Sequence, residues 1–322
     1  MWAYSIRRLL YNVPVFLGIL LFVMGALRVN DPIYGFLGKN ASEEEYKAFQ
    51  EKAGLDKPFW LQYAIFVKGV ITFDFSTESW DQPGLSVGER LRRAIGPSLS
   101  ITIPALILST AVSVVVGLVS AYFRGQGLDR TLVFIAVLGM SISFLVYIIL
   151  GQYFGAYVPN RYFNREVFSI HGYDGWSQLN LPVDWAYYCL LPVVISVVVS
   201  MGYDTRYYRA VMVEETGRDY MITAQAKGAS KPKVMFVHML KNAMIPIITR
   251  VAITLPFLIT GSILLETYFG IPGMGQTLIS AVNAKDFPVV QAFTAVFAAL
   301  YILTNILTDV LYALVDPRIR LA

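Results

Sequence analysis

Six long stretches without Asp, Glu, Lys or Arg divide this chain: residues 9–27, 94–123, 131–160, 185–203, 251–265 and 287–308. A helix needs about 20 apolar residues to cross a hydrocarbon core of roughly 30 Å. A charge at its centre costs about 2.5–3.5 kcal/mol on insertion scales. The pattern therefore predicts an all-α membrane protein with six transmembrane helices. The fifth stretch is short, and 242–249 extends it toward the N-terminus if Arg250 snorkels to the interface. Charged residues make up 15% of the 322 positions, against about a quarter in a soluble domain.

Lys and Arg in the short loops set the orientation. Arg7 and Arg8 precede the first stretch, Arg124 and Arg130 bracket the second loop, and Arg318 and Arg320 follow the last. The fourth-to-fifth connection carries Arg206, Arg209, Arg218, Lys227, Lys231, Lys233 and Lys241. This asymmetry places both termini in the cytoplasm of a multi-pass cell-membrane protein. The net charge of +4 lies between apolar runs and forms no stripe, so nucleic acid is not an expected partner. The first stretch is too long for a signal-peptide core and lacks a small-residue cleavage site, so it reads as an uncleaved helix. Three regions follow: 1–29, an N-terminal tail and first helix; 30–93, an extracellular loop with short helices; and 94–322, a core membrane domain.

Ser42 and Glu45 in that loop have capping-box spacing, and Gly54 ends the helix they begin. Its aromatic residues place it against the membrane or the other outer loops. Asn40-Ala41-Ser42 fits a glycosylation acceptor but is read without a role, since such tripeptides are common by chance. Pro14, Pro104, Pro192 and Pro256 fall inside apolar stretches and predict kinks. Cys189, the only cysteine, reads as a small packed residue. With two histidines and that one cysteine, no metal cluster, catalytic group or cofactor site is expected.

Residues 204–250 are the most informative part. Asp219 is placed to cap a helix over 220–227, Gly228 to supply a left-handed stop, and Ser230 with Pro232 to begin a second helix toward Met244. Ala224, Ala226, Gly228 and Ala229 permit close approach, and Lys227, Lys231 and Lys233 supply positive charge. Two readings stay open on physical grounds alone. The hairpin docks in a groove of a soluble partner, or it is an amphipathic connector on the membrane surface.

The run Asp219-Tyr220-Met221-Ile222-Thr223-Ala224-Gln225-Ala226-Lys227-Gly228-Ala229-Ser230 resembles the coupling-loop signature of ABC-importer permeases of the dipeptide, oligopeptide and nickel class. Asn242-Ala243-Met244-Ile245-Pro246 fits the same pattern, as does the segment from Glu266 through Gly270-Ile271-Pro272-Gly273-Met274-Gly275. Asp286-Phe287-Pro288-Val289-Val290-Gln291, the C-terminal run from Asp309 to Arg320 and, near the start, Asn30-Asp31-Pro32 and Gly54-Leu55-Asp56-Lys57-Pro58 complete the resemblance. The broader signature begins Glu-Ala-Ala where this chain has Ile222-Thr223-Ala224.

The resemblance implies a type I importer permease fold. It also implies a pathway shared with a second homologous permease, two ATPase subunits carrying ATP and Mg, and an extracellular binding protein that delivers substrate. The docking element would be Thr223, Ala224, Gln225, Ala226, Lys227, Gly228, Ala229, Ser230 and Lys231. The residues themselves agree in that no G-x-x-x-x-G-K-[ST] loop is present to cradle nucleotide. No ionisable Asp, Glu, Lys or Arg lies within the six stretches to run a proton relay. A stand-alone secondary transporter and a membrane enzyme are therefore the weaker alternatives. Glu266 either contacts substrate or pins the turn of Pro272, Gly273 and Gly275, and the turn chemistry favours pinning. Di- or oligopeptide is the expected cargo, with oligosaccharide or a nickel chelate as alternatives.

Overall fold

The structure, a computed structural model, describes residues 2–38, 40–174, 183–254 and 263–315. Helix α1 (Trp2–Ala26) leads into three short helices, α2 (Pro32–Leu37), α3 (Glu43–Lys52) and α4 (Phe59–Thr72). The long α5 (Val87–Tyr122) follows, then α6 (Gly127–Ser141) and α7 (Phe144–Gly151). A π turn (Gln152–Tyr157) joins α7 to α8 (Val158–Tyr162). Then come α9 (Val183–Glu215), α10 (Asp219–Ala226) and α11 (Lys231–Lys233). A second π turn (Val234–Met239) leads into α12 (Leu240–Thr254). The described chain closes with α13 (Ile263–Phe269), α14 (Met274–Asn283) and α15 (Phe287–Val315). No strand occurs among the described residues beyond one isolated bridge between Glu78 and Ser86.

Among the described residues, four helical runs are long and apolar enough to cross a membrane: Val87–Tyr122, Val183–Glu215, Lys231–Thr254 and Phe287–Thr308. The third predicted stretch, 131–160, is not one straight helix. It breaks between α6 and α7–α8 with a bend of 96°, and the pair makes a fifth span if taken together. The physical break is Ile142-Ser143, where the backbone leaves the helical region for extended geometry. In α1 the apolar part, Leu10–Ala26, is shorter than the other spans. The fourth-to-fifth connection also contracts. The Asp204 end belongs to α9 and the Arg250 end to α12, leaving 216–230 as the hairpin between them. Likewise α5 begins at Val87, inside what was expected to be loop.

Helices α1, α5 and α9 run on through Pro14, Pro104 and Pro192, and Pro97 and Pro246 are also intrahelical; Pro256 lies outside the described residues. Proline has no N–H for the carbonyl four residues earlier, so Pro104 frees that of Ser100. Trp185 Nε1 donates to it at 3.0 Å. A carbonyl orphaned in an apolar surrounding is thus satisfied from α9.

The described residues of 30–86 form a cap over one end of the bundle. Ser42 and Glu45 make the reciprocal capping box, with Glu45 N–H donating to Ser42 Oγ at 3.2 Å and Ser42 N–H to Glu45 Oε2 at 2.9 Å. Gly54 adopts φ +65° just beyond α3. Tyr46 Oη donates to Asp31 Oδ2 at 2.8 Å, tying α3 to α2, and that bond pushes Tyr46 up to about 12. Rings of Phe36, Phe49, Trp80 and Phe287 form a chain with centroid spacings of 5.5, 5.0 and 5.3 Å. It runs from the cap onto the start of α15. Cys189 is fully buried and touches Ser100 Oγ at 3.5 Å, consistent with a packed residue.

Candidate functional site

At the end of the bundle opposite the cap, the hairpin 216–230 hangs between α9 and the helical run that begins at α11. Arg218 occupies the N-cap of α10 without a side-chain capping bond, so Asp219 sits in the first turn, one position later than expected. Tyr220 Oη donates to Glu215 Oε2 at 2.6 Å and Arg218 Nη2 to Glu214 Oε1 at 2.9 Å, gripping the end of α9. Both effects on Tyr220, burial and the neighbouring carboxylate, push its ionisation upward. Helix α10 ends in a Schellman motif: Ala229 N–H donates to Ala224 O at 3.1 Å and Gly228 N–H to Gln225 O at 2.9 Å. Gly228 takes the left-handed position with φ +83° and faces open space. Ser230 then occupies the N-cap position of the next helix in extended geometry, without a side-chain capping bond, and Pro232 stands in its first turn.

The hairpin has two faces. Inward, Met221 and Ala224 join Val234, Met235, Met239, Ala243 and Ile247 in one buried cluster with Leu118 and Ala121 of α5 and Tyr208 and Met212 of α9. Ala224 is therefore committed to this chain's own core and is not on the displayed surface, because its spacing from Met221 puts both on one helix face. Outward, Ile222 is 64% exposed. Thr223, Gln225, Ala226, Lys227, Gly228, Ser230 and Lys231 are exposed beside it, with Ala229 half-buried. Lys231 Nζ lies 4.4 Å from the ring centroid of Tyr122, anchoring the second limb to α5. His238 is half-buried in the π turn.

A buried ion pair steadies the same end. Asp129, at the start of α6, accepts from Arg209 Nε at 2.7 Å, Arg209 Nη2 at 2.8 Å, Ser120 Oγ at 2.5 Å and Gly125 N–H at 2.9 Å. Three helices meet at this one carboxylate. A matching cluster sits at the cap end. Asp286 is fully buried and accepts from Arg90 Nη1 at 2.9 Å, Ser79 Oγ at 2.5 Å and the N–H groups of Trp80 and Asp81. Asp286 also stands at the N-terminus of α15, where Val289 N–H reaches its Oδ1 at 3.4 Å.

Glu266 is 1% exposed. Ser98 Oγ donates to its Oε1 at 2.6 Å, and Gln276 N–H donates to its Oε2 at 3.0 Å. Met274 N–H in turn donates to Ser98 Oγ at 2.8 Å. The N-cap of α14 is Gly273, which has no side chain to offer, so Glu266 and Ser98 satisfy the orphan donors of that helix from a distance. A Cβ on Gly273 would lie 2.4 Å from Glu266 Cδ, and one on Gly275 would meet Ile263 Cγ1 at 2.8 Å. Pro272 lies in the turn that brings these glycines to the carboxylate. Glu266→Gln keeps the shape but turns one acceptor into a donor, and is expected to lower stability by about 1–3 kcal/mol. A fall in the thermal midpoint of the detergent-solubilised protein would register it; an unchanged midpoint would contradict the capping role. The ring of His171, exposed at its loop, packs over Gly270.

Sequence reasoning missed the ion pairs. Arg90, Asp129, Asp204, Arg250 and Asp286 all sit just outside charge-free stretches. Position at a span edge was their only signal, and it reads equally well as topology.

Residues 113–321 match the family described as binding-protein-dependent transport system inner membrane component. The chain belongs to that family. It is thus a transport component of the inner membrane. Relatives extend over the remainder. A probable peptide ABC transporter permease of Sinorhizobium fredii is 33% identical, covering 99% of this chain and 100% of that protein. A dipeptide transport system permease of Escherichia coli K12 is 30% identical over 99% of both chains. An oligopeptide transport system permease of Bacillus subtilis is 30% identical over 99% of this chain and 100% of its own length.

Proposed function

We propose that this family member is the permease subunit of an ATP-driven importer that moves di- or oligopeptides handed over by an extracellular binding protein. It pairs with a second homologous permease to enclose the pathway, and rests the exposed face of 222–231 on one of two ATPase subunits. In this reading six helices cross the membrane, both termini are cytoplasmic, and the cap faces outward. The observation that carries it is the two-faced hairpin: one side locked into the core of α5, α9 and α12, the other left bare by the chain itself. An amphipathic connector on the membrane would present a broad apolar side outward, whereas within 222–231 Ile222 is the one large apolar side chain exposed, among polar and small residues. The names of full-length relatives, which specify peptide, dipeptide and oligopeptide transport, support the choice of cargo.

Reconstitution tests this directly. Liposomes containing this permease, its partner permease, the two ATPases and the binding protein are expected to take up dipeptide only with ATP. Uptake by this chain alone would overturn the reading. Uptake of oligosaccharide or nickel chelate in place of every peptide would overturn its cargo.

A further inference from the structure

Asp204 on α9 and Arg250 on α12 form an ion pair that neither hairpin nor cap explains. The charge-free run 185–203 that precedes Asp204 spans about 28 Å at a rise of about 1.5 Å per residue. The pair therefore lies where the apolar run ends, about three turns of α9 before the hairpin. Arg250 Nε and Nη2 both approach the single oxygen Asp204 Oδ1 at 3.1 Å. Asp204 Oδ2 and Arg250 Nη1 make no hydrogen bond among the described residues. The two side chains are 16% and 37% exposed. Tyr207, itself 37% exposed, lies 5.7 Å beneath the guanidinium, and Tyr203, 50% exposed, is one turn away. Charges near membrane depth are not turned to lipid; they face water-filled space or protein.

We propose that Asp204 and Arg250 form a station on the translocation pathway for the two charged ends of a zwitterionic peptide. The carboxylate receives the terminal ammonium and the guanidinium receives the terminal carboxylate, with the tyrosine faces lining the way between. A dipolar pair with one acceptor and one donor open among the described residues complements a dipolar solute, and neither charge needs to be left unpaired before or after the peptide passes. This inference rests on the peptide-importer reading.

The test uses the complete importer with Cys189→Ala, which removes this chain's own thiol, and Tyr207→Cys as a reporter beside the pair, with labelling read on this chain after its separation from the other subunits. A charged, water-soluble thiol reagent is expected to label the reporter. Dialanine at about ten times its dissociation constant should slow labelling on the order of tenfold, by simple occupancy of the station. N-acetyl-dialanine amide, without charged ends, should not slow it. Adding Asp204→Asn with Arg250→Gln, which removes both charges together, should abolish the protection by dialanine. Tyr203→Cys serves as a second reporter should the first variant fail to assemble. Equal protection by both peptides, protection that survives the double substitution, or a reporter that never labels would each overturn the station. Dialanine uptake is measured in parallel liposomes of the unsubstituted importer. Normal uptake without protection removes this inference alone, whereas absent uptake removes the peptide reading beneath it.

Discussion

Gly228→Val is expected to cut transport-coupled ATP hydrolysis about 5- to 30-fold while membrane insertion stays at the wild-type level. The left-handed conformation at this position, φ +83°, costs an L-residue roughly 1–2 kcal/mol, and a β-branched one more. No atom stands within 4 Å of a Cβ there, so the loss is conformational and not a clash inside the chain. The Schellman bonds of Ala229 and Gly228 loosen, the second limb leaves α10 at a different angle, and the exposed face no longer presents one shape. Asparagine tolerates the left-handed region, so Gly228→Asn should recover much of the rate. Wild-type coupled hydrolysis in the valine variant would count decisively against the hairpin as the docking element.

Arg90→Ala should destabilise the protein by about 3–5 kcal/mol, the usual consequence of removing one member of a buried pair. It strands Asp286, which is fully buried and already holds Ser79, the backbone of 80–81 and the first turn of α15. The expected signature is a lower thermal midpoint together with early proteolysis of the cap, because the cap is tied to α15 through this carboxylate. Arg90→Met with Asp286→Asn removes both charges and keeps a competent N-cap at 286. That double variant should be far milder. Equal damage from both would show that packing at Trp80 and Phe287, not the ion pair, holds the cap.

Much of the architecture was legible because membrane insertion imposes a crude, local rule. Charge-free stretches near 94–123, 185–203 and 287–308 each lie within a long helix. Local turn chemistry was equally readable: the box of Ser42 and Glu45, the stops at Gly54 and Gly228 and the start at Ser230 depend on neighbours a few residues away. The predicted loop boundaries were wrong where helices run past the edge of the bilayer. Charges such as Arg90 and Arg209 are tolerated there, so charge ceases to mark a helix end.

Composition and periodicity by themselves determined the membrane class, the approximate placement of the long helices and the hairpin between the fourth and fifth stretches. Only the tertiary structure decided which side of that hairpin is bare, putting Ala224 inward and Ile222 outward. It alone matched Arg90 with Asp286, Arg209 with Asp129 and Arg250 with Asp204, partners 196, 80 and 46 residues apart. Insertion energy acts on each segment separately and is nearly blind to its neighbours. Ion pairs and remote caps such as Glu266 over α14 act between segments, and no single stretch of sequence contains both halves.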